Sequence, residues 1–230
     1  MKSDSPEGLL LVDKPAGVTS HDVVDRVRRA YGERSVGHLG TLDPFATGLL
    51  VVLVGRATRL ATFLDVEPKV YEAVIAFGTE TDTDDSTGEV TRSAPPPSEA
   101  NVRASIVTLT GEIQQVPPAY SAKKVAGRRA YAAARSGEAV ELAPASVVVH
   151  RWDAGAFMGD TLSATITCGG GTYIRALARD LGRLSGSAAH LASLRRTRIG
   201  RFDVADATPA DALTAVPPPL KRLEVTVAAA

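Results

Sequence analysis

The sequence predicts an α+β fold built on a mixed, mostly antiparallel central sheet. Three observations lead there. Residues 161–168, TLSATITC, alternate cleanly, with Leu162, Ala164, Ile166 and Cys168 set against Thr161, Ser163, Thr165 and Thr167; that is the period of a half-buried strand. Residues 49–55, LLVVLVG, form an unbroken apolar run, as in a buried strand. The helical stretches are scattered among strands without βαβ alternation, which argues against a parallel sheet.

Taken in order, GLLLVDKPAG (8–17) reads as a short buried strand stopped by Lys14-Pro15 and Gly17. A helix follows: Thr19 with Asp22 fits a capping box, Val23, Val24 and Val27 line one face, and Gly32 is its stop. After a glycine-rich loop (37–48) comes the strand from Leu49 to Val54. KVYEAVIAFG (69–78) is another strand, with Tyr71, Ala73, Ile75 and Phe77 on one side. An acidic loop and a proline-rich connector at 94–97 lead to a helix over 98–110, with Ile106 and Leu109 inward and Gly111 as its end. Residues 116–135 begin as a loop and finish as an alanine-rich helix, and 146–152 form a strand. The GGG at 169–171 turns the chain into a helix on which Ile174, Leu177, Ala178, Leu181 and Leu184 recur at helical spacing. A second short helix is expected over 187–194.

Composition bounds the function. A chain of 230 residues with 44% hydrophobic content suits one large domain or two small ones. No apolar run reaches membrane-spanning length, and the polar start MKSDSPEG is not a secretory signal, so a cytoplasmic protein without membrane association is expected. The one cysteine, Cys168, excludes an internal disulfide; on its strand it reads as a buried filler. His21, His38, His150 and His190 lack ligand spacing, so no metal site is expected. The 26 basic and 26 acidic residues cancel, but they are segregated. Lys123, Lys124, Arg128, Arg129 and Arg135 fall in an acid-free stretch, RRTRIGR (195–201) is another, and TETDTDDSTGE (79–89) carries five acids and no base. Such segregation can give a neutral protein a basic face for RNA, or simply solvated loops.

The chemistry centres on GHLGTLDPFATG (37–48). Gly37, Gly40 and Gly48 permit backbone angles or close approaches closed to other residues, and Pro44 biases Asp43 toward an extended conformation. The loop is therefore stiff and delivers one carboxylate, Asp43, to the mouth of a buried strand. Asp-Pro also starts ordinary type I turns, and spacing alone does not choose between the two.

This stretch resembles the signature loop of the TruB family, the tRNA pseudouridine-55 synthases, whose pattern GHxGxLDPxAxGxL is met at every fixed position. LLLVDKPxGxTS near the N-terminus, the K-x-Y of Lys69–Tyr71 and GTYIRxLxxDLG (171–182) resemble further family segments. The likeness runs from about residue 8 to about residue 203. It implies a pseudouridine-synthase-like sheet with a catalytic cleft and flanking helices and loops, isomerisation of uridine at position 55 in the T loop of tRNA by base flipping, and no cofactor.

The resemblance also implies roles. Asp43 is the essential catalytic residue, Arg175 pairs with it, and Tyr173 takes the proton from the 5-position of the rotated base. Tyr71 stacks on the target base, His38 enters the gap the base leaves, and Leu194 packs against the pocket. Lys124 sits on a segment that clamps RNA, and the Lys14-Pro15 segment packs beside the site. Arg195 and Arg196 are expected to contact phosphate. Without the resemblance, Arg175 could be a surface arginine, Tyr71 and Tyr173 core aromatics, and His38 a loop histidine bonded to backbone.

A catalytic domain is expected over 1–205, with 206–230 a short tail and no complete RNA-binding domain of the PUA type. The partner is then the T-arm stem-loop of tRNA, met by a monomer without guide RNA. Two other readings are the catalytic subunit of an RNA-guided pseudouridylation particle and a non-catalytic T-arm binder.

Overall fold

Strands β1 (Gly8–Lys14) and β3 (Thr47–Val54) are apolar at nearly every position, and the fold buries both faces of each. They pair antiparallel from Gly8 opposite Val54 to Lys14 opposite Gly48. On one face Leu10, Val12, Leu50, Val52 and Val54 pack with Val23, Val24 and Val27 of helix α1 (Ser20–Tyr31); on the other, Leu9, Leu11, Leu49, Val51 and Leu53 pack with Leu39, Ala57 and Ile199. Helix α1 starts and stops as its sequence implies. Thr19 and Asp22 form a reciprocal capping box, and Gly32 ends the helix in the left-handed conformation.

The computed structural model describes residues 5–121, 124–125, 128–129, 142–214 and 217–222. The chain divides into two units, Met1–Lys69 with Arg195–Ala230, and Val70–Leu194. In the first, β2 (Val36–Leu39) lies antiparallel to the far end of β3, and a nine-residue 3₁₀ segment, Gly55–Phe63, follows. Residues Arg195 and Arg196, on strand β12 (Ala189–Ile199), run parallel to β3 at Thr47 and Gly48. Short strands β13 (Phe202–Asp203) and β14 (Thr208–Pro209) pair with β12 and β1.

The second unit holds strand β4 (Lys69–Phe77), the small β5–β6 hairpin (Thr79–Thr81, Val90–Ser93) and helix α2 (Glu99–Thr108). After α2 come β7 (Gly111–Gln115), the two-residue strands β8 and β9 (Lys124–Val125, Arg128–Arg129), β10 (Ala145–Met158), β11 (Thr161–Cys168) and helix α3 (Ile174–Leu184). Its strand order is β12–β4–β11–β10–β7, with β12 counted up to Leu194. The alternation in β11 is met in full: Leu162, Ala164, Ile166 and Cys168 are all buried. So are Tyr71, Ala73, Ile75 and Phe77 on β4.

Four expectations are corrected. Residues 189–194 are strand, not helix: the alanines and leucines there favour a helix, but pairing within the sheet overrides that weak preference. Residues 37–39, expected as loop, lie on β2. Leu184, expected inward, is largely exposed at the end of α3. Helix α2 ends at Leu109, and Gly111 instead opens β7. The alanine-rich helix expected to end the 116–135 stretch lies outside the described residues.

Gly48 shows how tightly β3 meets β12. Its φ is +105°, and a Cβ there would stand 2.3 Å from the Arg196 carbonyl oxygen and 2.8 Å from its nitrogen. Gly48→Ala is expected to cost about 3 kcal/mol or more, combining backbone strain with displacement of a paired strand. Urea denaturation of the two proteins measures this directly.

Candidate active site

The loop between β2 and β3 is held by its carbonyls. Arg196, only 1% exposed, donates from Nη2 to Gly40 O at 3.0 Å, from Nη1 to Thr41 O at 3.2 Å and from Nε to Leu49 O at 2.8 Å. The Ser20 hydroxyl, at the start of α1, donates to Leu42 O and accepts from Leu42 N–H. Lys14 Nζ donates to Pro44 O at 3.3 Å, and also to Pro15 O and Val18 O. The Gly17 N–H reaches the same Pro44 carbonyl at 2.8 Å. The peptide groups on both sides of Asp43 are therefore bonded to buried donors, while its side chain stands half-buried.

The expected stiffness is present, but glycine and proline are only part of its cause. Gly40 and Gly48 take positive φ; Gly37 does not, and open space surrounds it. Two buried cations supply the rest. Burial pushes the Lys14 amine down from 10.5 to about 8, Arg196 adds to the shift, and the Asp43 and Asp22 carboxylates oppose it. At neutral pH Lys14 remains mostly charged, so Asp43 lies in the field of a cation that hydrogen-bonds its own loop. His38, on β2, is driven below its ordinary value by burial and by Arg196, which keeps it neutral at pH 7.

The expectation that Arg196 contacts phosphate is corrected. Its guanidinium is spent on three main-chain carbonyls and has no exposed surface to offer. Arg195 is partly exposed but grips Asp13 with two bonds, 3.0 and 2.7 Å, as the planar guanidinium does with a carboxylate. Sequence reasoning missed the positioning work of Lys14 and Ser20. Its traces were the Lys-Pro step ending a buried strand just before a capped helix and the resemblance that sets that segment beside the site.

The second unit holds Tyr71, Lys124, Tyr173, Arg175 and Leu194. Tyr71 and Leu194 are buried, at 7% and 6% exposed. Lys124 lies on β8; its side chain lies outside what is described. Tyr173 is the N-cap residue of α3 and is half-buried. Arg175 is not a surface arginine: its side chain is 5% exposed and donates to Thr83 O at 2.8 Å and Tyr120 O at 3.0 Å. The Asp85 carboxylate lies 3.4 Å from it. That carboxylate is itself fixed through Oδ1 by the Thr83 hydroxyl, the Thr87 hydroxyl and the Thr87 N–H.

The acidic run is therefore not a solvated loop. Asp84 pairs with Arg179 at 2.8 Å, and Glu80 takes Arg183 and Arg92, each at 2.6 Å. Burial pushes the Asp84 carboxyl up to about 6 against the pull of Arg179, Arg175 and Arg183. Burial raises Glu80 too, but there the arginine bonds win and its carboxyl lies below the ordinary range.

The fold, a mixed, mostly antiparallel sheet with few helices, is that of the pseudouridine synthases. Among solved structures it resembles the "Cbf5-Nop10-Gar1 Complex", with a TM-score of 0.65 at 29% identity over 85% of this chain and 50% of that one. An "H/ACA RNP bound to a substrate RNA containing 2'-deoxyuridine" gives the same TM-score at 26% identity, over 89% of this chain and 51% of that one; the chain spans about half the length of both. Residues 28–174 match the family described as "TruB family pseudouridylate synthase (N terminal domain)". Residues 175–217 match "tRNA pseudouridylate synthase B C-terminal domain". The chain belongs to the TruB family. It is 52% identical to tRNA pseudouridine synthase B of Thermobifida fusca, over 91% of this chain and 75% of that protein. It is also 52% identical to the Arthrobacter protein of that name, over 85% of this chain and 66% of that protein.

Two predictions follow from the buried cations. Arg196→Lys leaves a charge but cannot reach all three carbonyls. It should lower stability by roughly 2–4 kcal/mol, since each abandoned buried acceptor costs about 1–3 kcal/mol. The same variant should leave the salt dependence of RNA binding unchanged, and a flattened dependence would return Arg196 to the RNA face.

Lys14 gives a pH signature. Buried in the native chain it titrates at about 8, below the ordinary lysine value of 10.5. Below about pH 8 the buried charge burdens only the native state. Between about 8 and 10.5 the native chain releases the proton while the unfolded chain keeps it, so stability rises with pH in that window. The gain of wild type over Lys14→Met should grow by roughly 3 kcal/mol across it. Denaturation of both proteins at several pH values measures the difference, and a pH-independent difference would refute the perturbed amine.

Proposed function

We propose that this chain isomerises uridine to pseudouridine at position 55 in the T loop of tRNA, acting alone and without guide RNA. The observation that carries the reading is the Asp43 loop, whose backbone is bonded on both sides of the carboxylate to buried donors. A reacting group held this way loses little freedom when substrate binds, and that freedom is a large part of a catalytic barrier.

In the reaction the bond from C1′ to N1 breaks, the base turns, and a bond from C1′ to C5 forms. The C5 proton leaves and N1 gains one, so nothing enters or departs overall, and the chemistry calls for no redox partner. Asp43 acts ionised, with Arg175 as its charge partner. Tyr173 takes the C5 proton. The target base is stacked in folded RNA, and extracting it costs about a few kcal/mol. Stacking on Tyr71 and packing by Leu194 offset part of that, and a neutral His38 fills the vacated place without adding charge. Lys124 serves the RNA-clamping segment.

Similarity to chains of a Cbf5-Nop10-Gar1 complex and of an H/ACA RNP raises the alternative of a subunit in an RNA-guided particle. The identities favour the stand-alone reading: 52% to tRNA pseudouridine synthase B against 26–29% to the chains in those complexes.

The test is tritium release from a T-arm stem-loop labelled at uridine C5, with no guide RNA present. The wild-type chain should release the label; no release would refute the stand-alone reading. Asp43→Asn should abolish turnover while RNA binding persists or tightens, because an anion facing phosphate is gone. Arg175→Lys should lose less, keeping charge but not the planar grip. Tyr173→Phe should lose about a hundred- to ten-thousand-fold in single-turnover rate. Appreciable turnover by Asp43→Asn would reduce Asp43 to a turn residue.

A further inference from the structure

Tyr173 opens helix α3 as its N-cap residue. It follows the GGG turn, in which Gly171 takes a φ of +80° with open space around it. The Thr172 hydroxyl is buried and bonds none of the described residues, and the Tyr173 side chain makes no capping bond to α3. A glycine turn thus leads into a residue whose phenol must be aimed. One side chain compensates. Gln115, at the end of β7 and 1% exposed, donates from Nε2 to Tyr173 O at 3.1 Å and accepts the Tyr173 N–H on Oε1 at 2.9 Å.

We infer that Gln115 is a positioning residue for Tyr173. Its amide offers one donor and one acceptor side by side, as a neighbouring strand would, and so bonds both main-chain groups of a single residue. With N–H and C=O both held, the Cα–Cβ direction of Tyr173 is set without any contact to the phenol. Helix α3 alone holds only the carbonyl, through Leu177 N–H at 3.1 Å. The backbone of Gln115 is in turn paired to Ala145 on β10, so the reference frame is the sheet itself. The neighbouring positions reinforce the same link: Arg179 of α3 donates to Val116 O at 2.8 Å, and Arg175 to Tyr120 O. The segment that leads toward Lys124 and the helix that starts at Tyr173 are therefore joined at three points. The inference rests on the reading of Tyr173 as the group that takes the C5 proton.

The test uses the full chain in four forms: wild type, Gln115→Met, Tyr173→Phe and the double variant. Single-turnover rates are measured on saturating, C5-tritiated T-arm RNA, alongside RNA affinity and amide hydrogen exchange at Tyr173. Gln115→Met should speed exchange of the Tyr173 amide by about tenfold or more, because its acceptor is gone. It should slow turnover by about ten- to a hundredfold with affinity kept within about twofold, as a misplaced catalytic group does. On the Tyr173→Phe background the same change should cost less than about threefold, because residues acting as one unit are not additive. An equal loss in both backgrounds, or unchanged exchange at Tyr173, overturns the inference. If Tyr173→Phe keeps the wild-type rate, the proton-acceptor reading fails instead, and exchange at Tyr173 still decides the clamp. Should Gln115→Met not fold, Gln115→Glu replaces it. A neutral carboxyl carries the same donor–acceptor pair as the amide, whereas the carboxylate has no donor. Its rate relative to wild type at equal pH should recover on acidification, and a flat ratio overturns the inference.

Discussion

A buried arginine needs acceptors, and buried carbonyls need donors; in this fold Arg196 and the loop before β3 answer each other. A guanidinium taken out of water without partners would be prohibitively costly. Three main-chain carbonyls 40–49 residues into the chain supply what it lacks. The parallel pairing of Arg196 with Gly48 brings the two together, and only a glycine leaves room for it. Lys14 repeats the arrangement at Pro44. The loop that presents Asp43 is thus shaped less by its own sequence than by cations from strands far away along the chain.

The second unit uses the opposite sign. There the buried charges supplied by the chain's acidic run are met by arginines from α3 and β6. Two carboxylates in that run end on different sides of their ordinary value. Both are buried, but Glu80 takes two arginines and is held charged, while Asp84 has one direct partner and is pushed toward neutrality. Desolvation and pairing act on both; the number of bonds to the charged form decides which prevails. Buried pairs of this kind add little net stability over apolar packing but are strongly destabilising to break. Their effect is to fix the geometry of Arg175 and of the turn around it.

Much of this was legible in advance. Period and capping residues located β1, α1, β3, β4 and β11, because their signals are local. What failed was non-local. Residues 189–194 carry helix-favouring alanines and leucines, and only their neighbours in the sheet make them a strand. Arg195 and Arg196 look alike in sequence, yet one faces outward to Asp13 and the other is sealed behind a loop. Alternation along a strand separates adjacent residues onto opposite faces, so once 195–196 is a strand the two arginines must part company. A helix read in place of β12 hid that consequence. The acidic run stayed open for a related reason: a charge row can look solvated until its partners, from 12 to 103 residues away, are in place.

Both halves of the proposed chemistry are therefore supported through main-chain atoms. Asp43 is placed by bonds to the carbonyls around it, and Tyr173 by bonds to its own N–H and C=O. Neither set of main-chain bonds is made by the carboxylate or the phenol itself. A protein that must aim a carboxylate and a phenol, yet keep both available for proton or bond transfer, gains by bracing the peptide rather than the functional group. The burden then falls on residues with several donors and little exposure, which is the description of Arg196, Lys14 and Gln115.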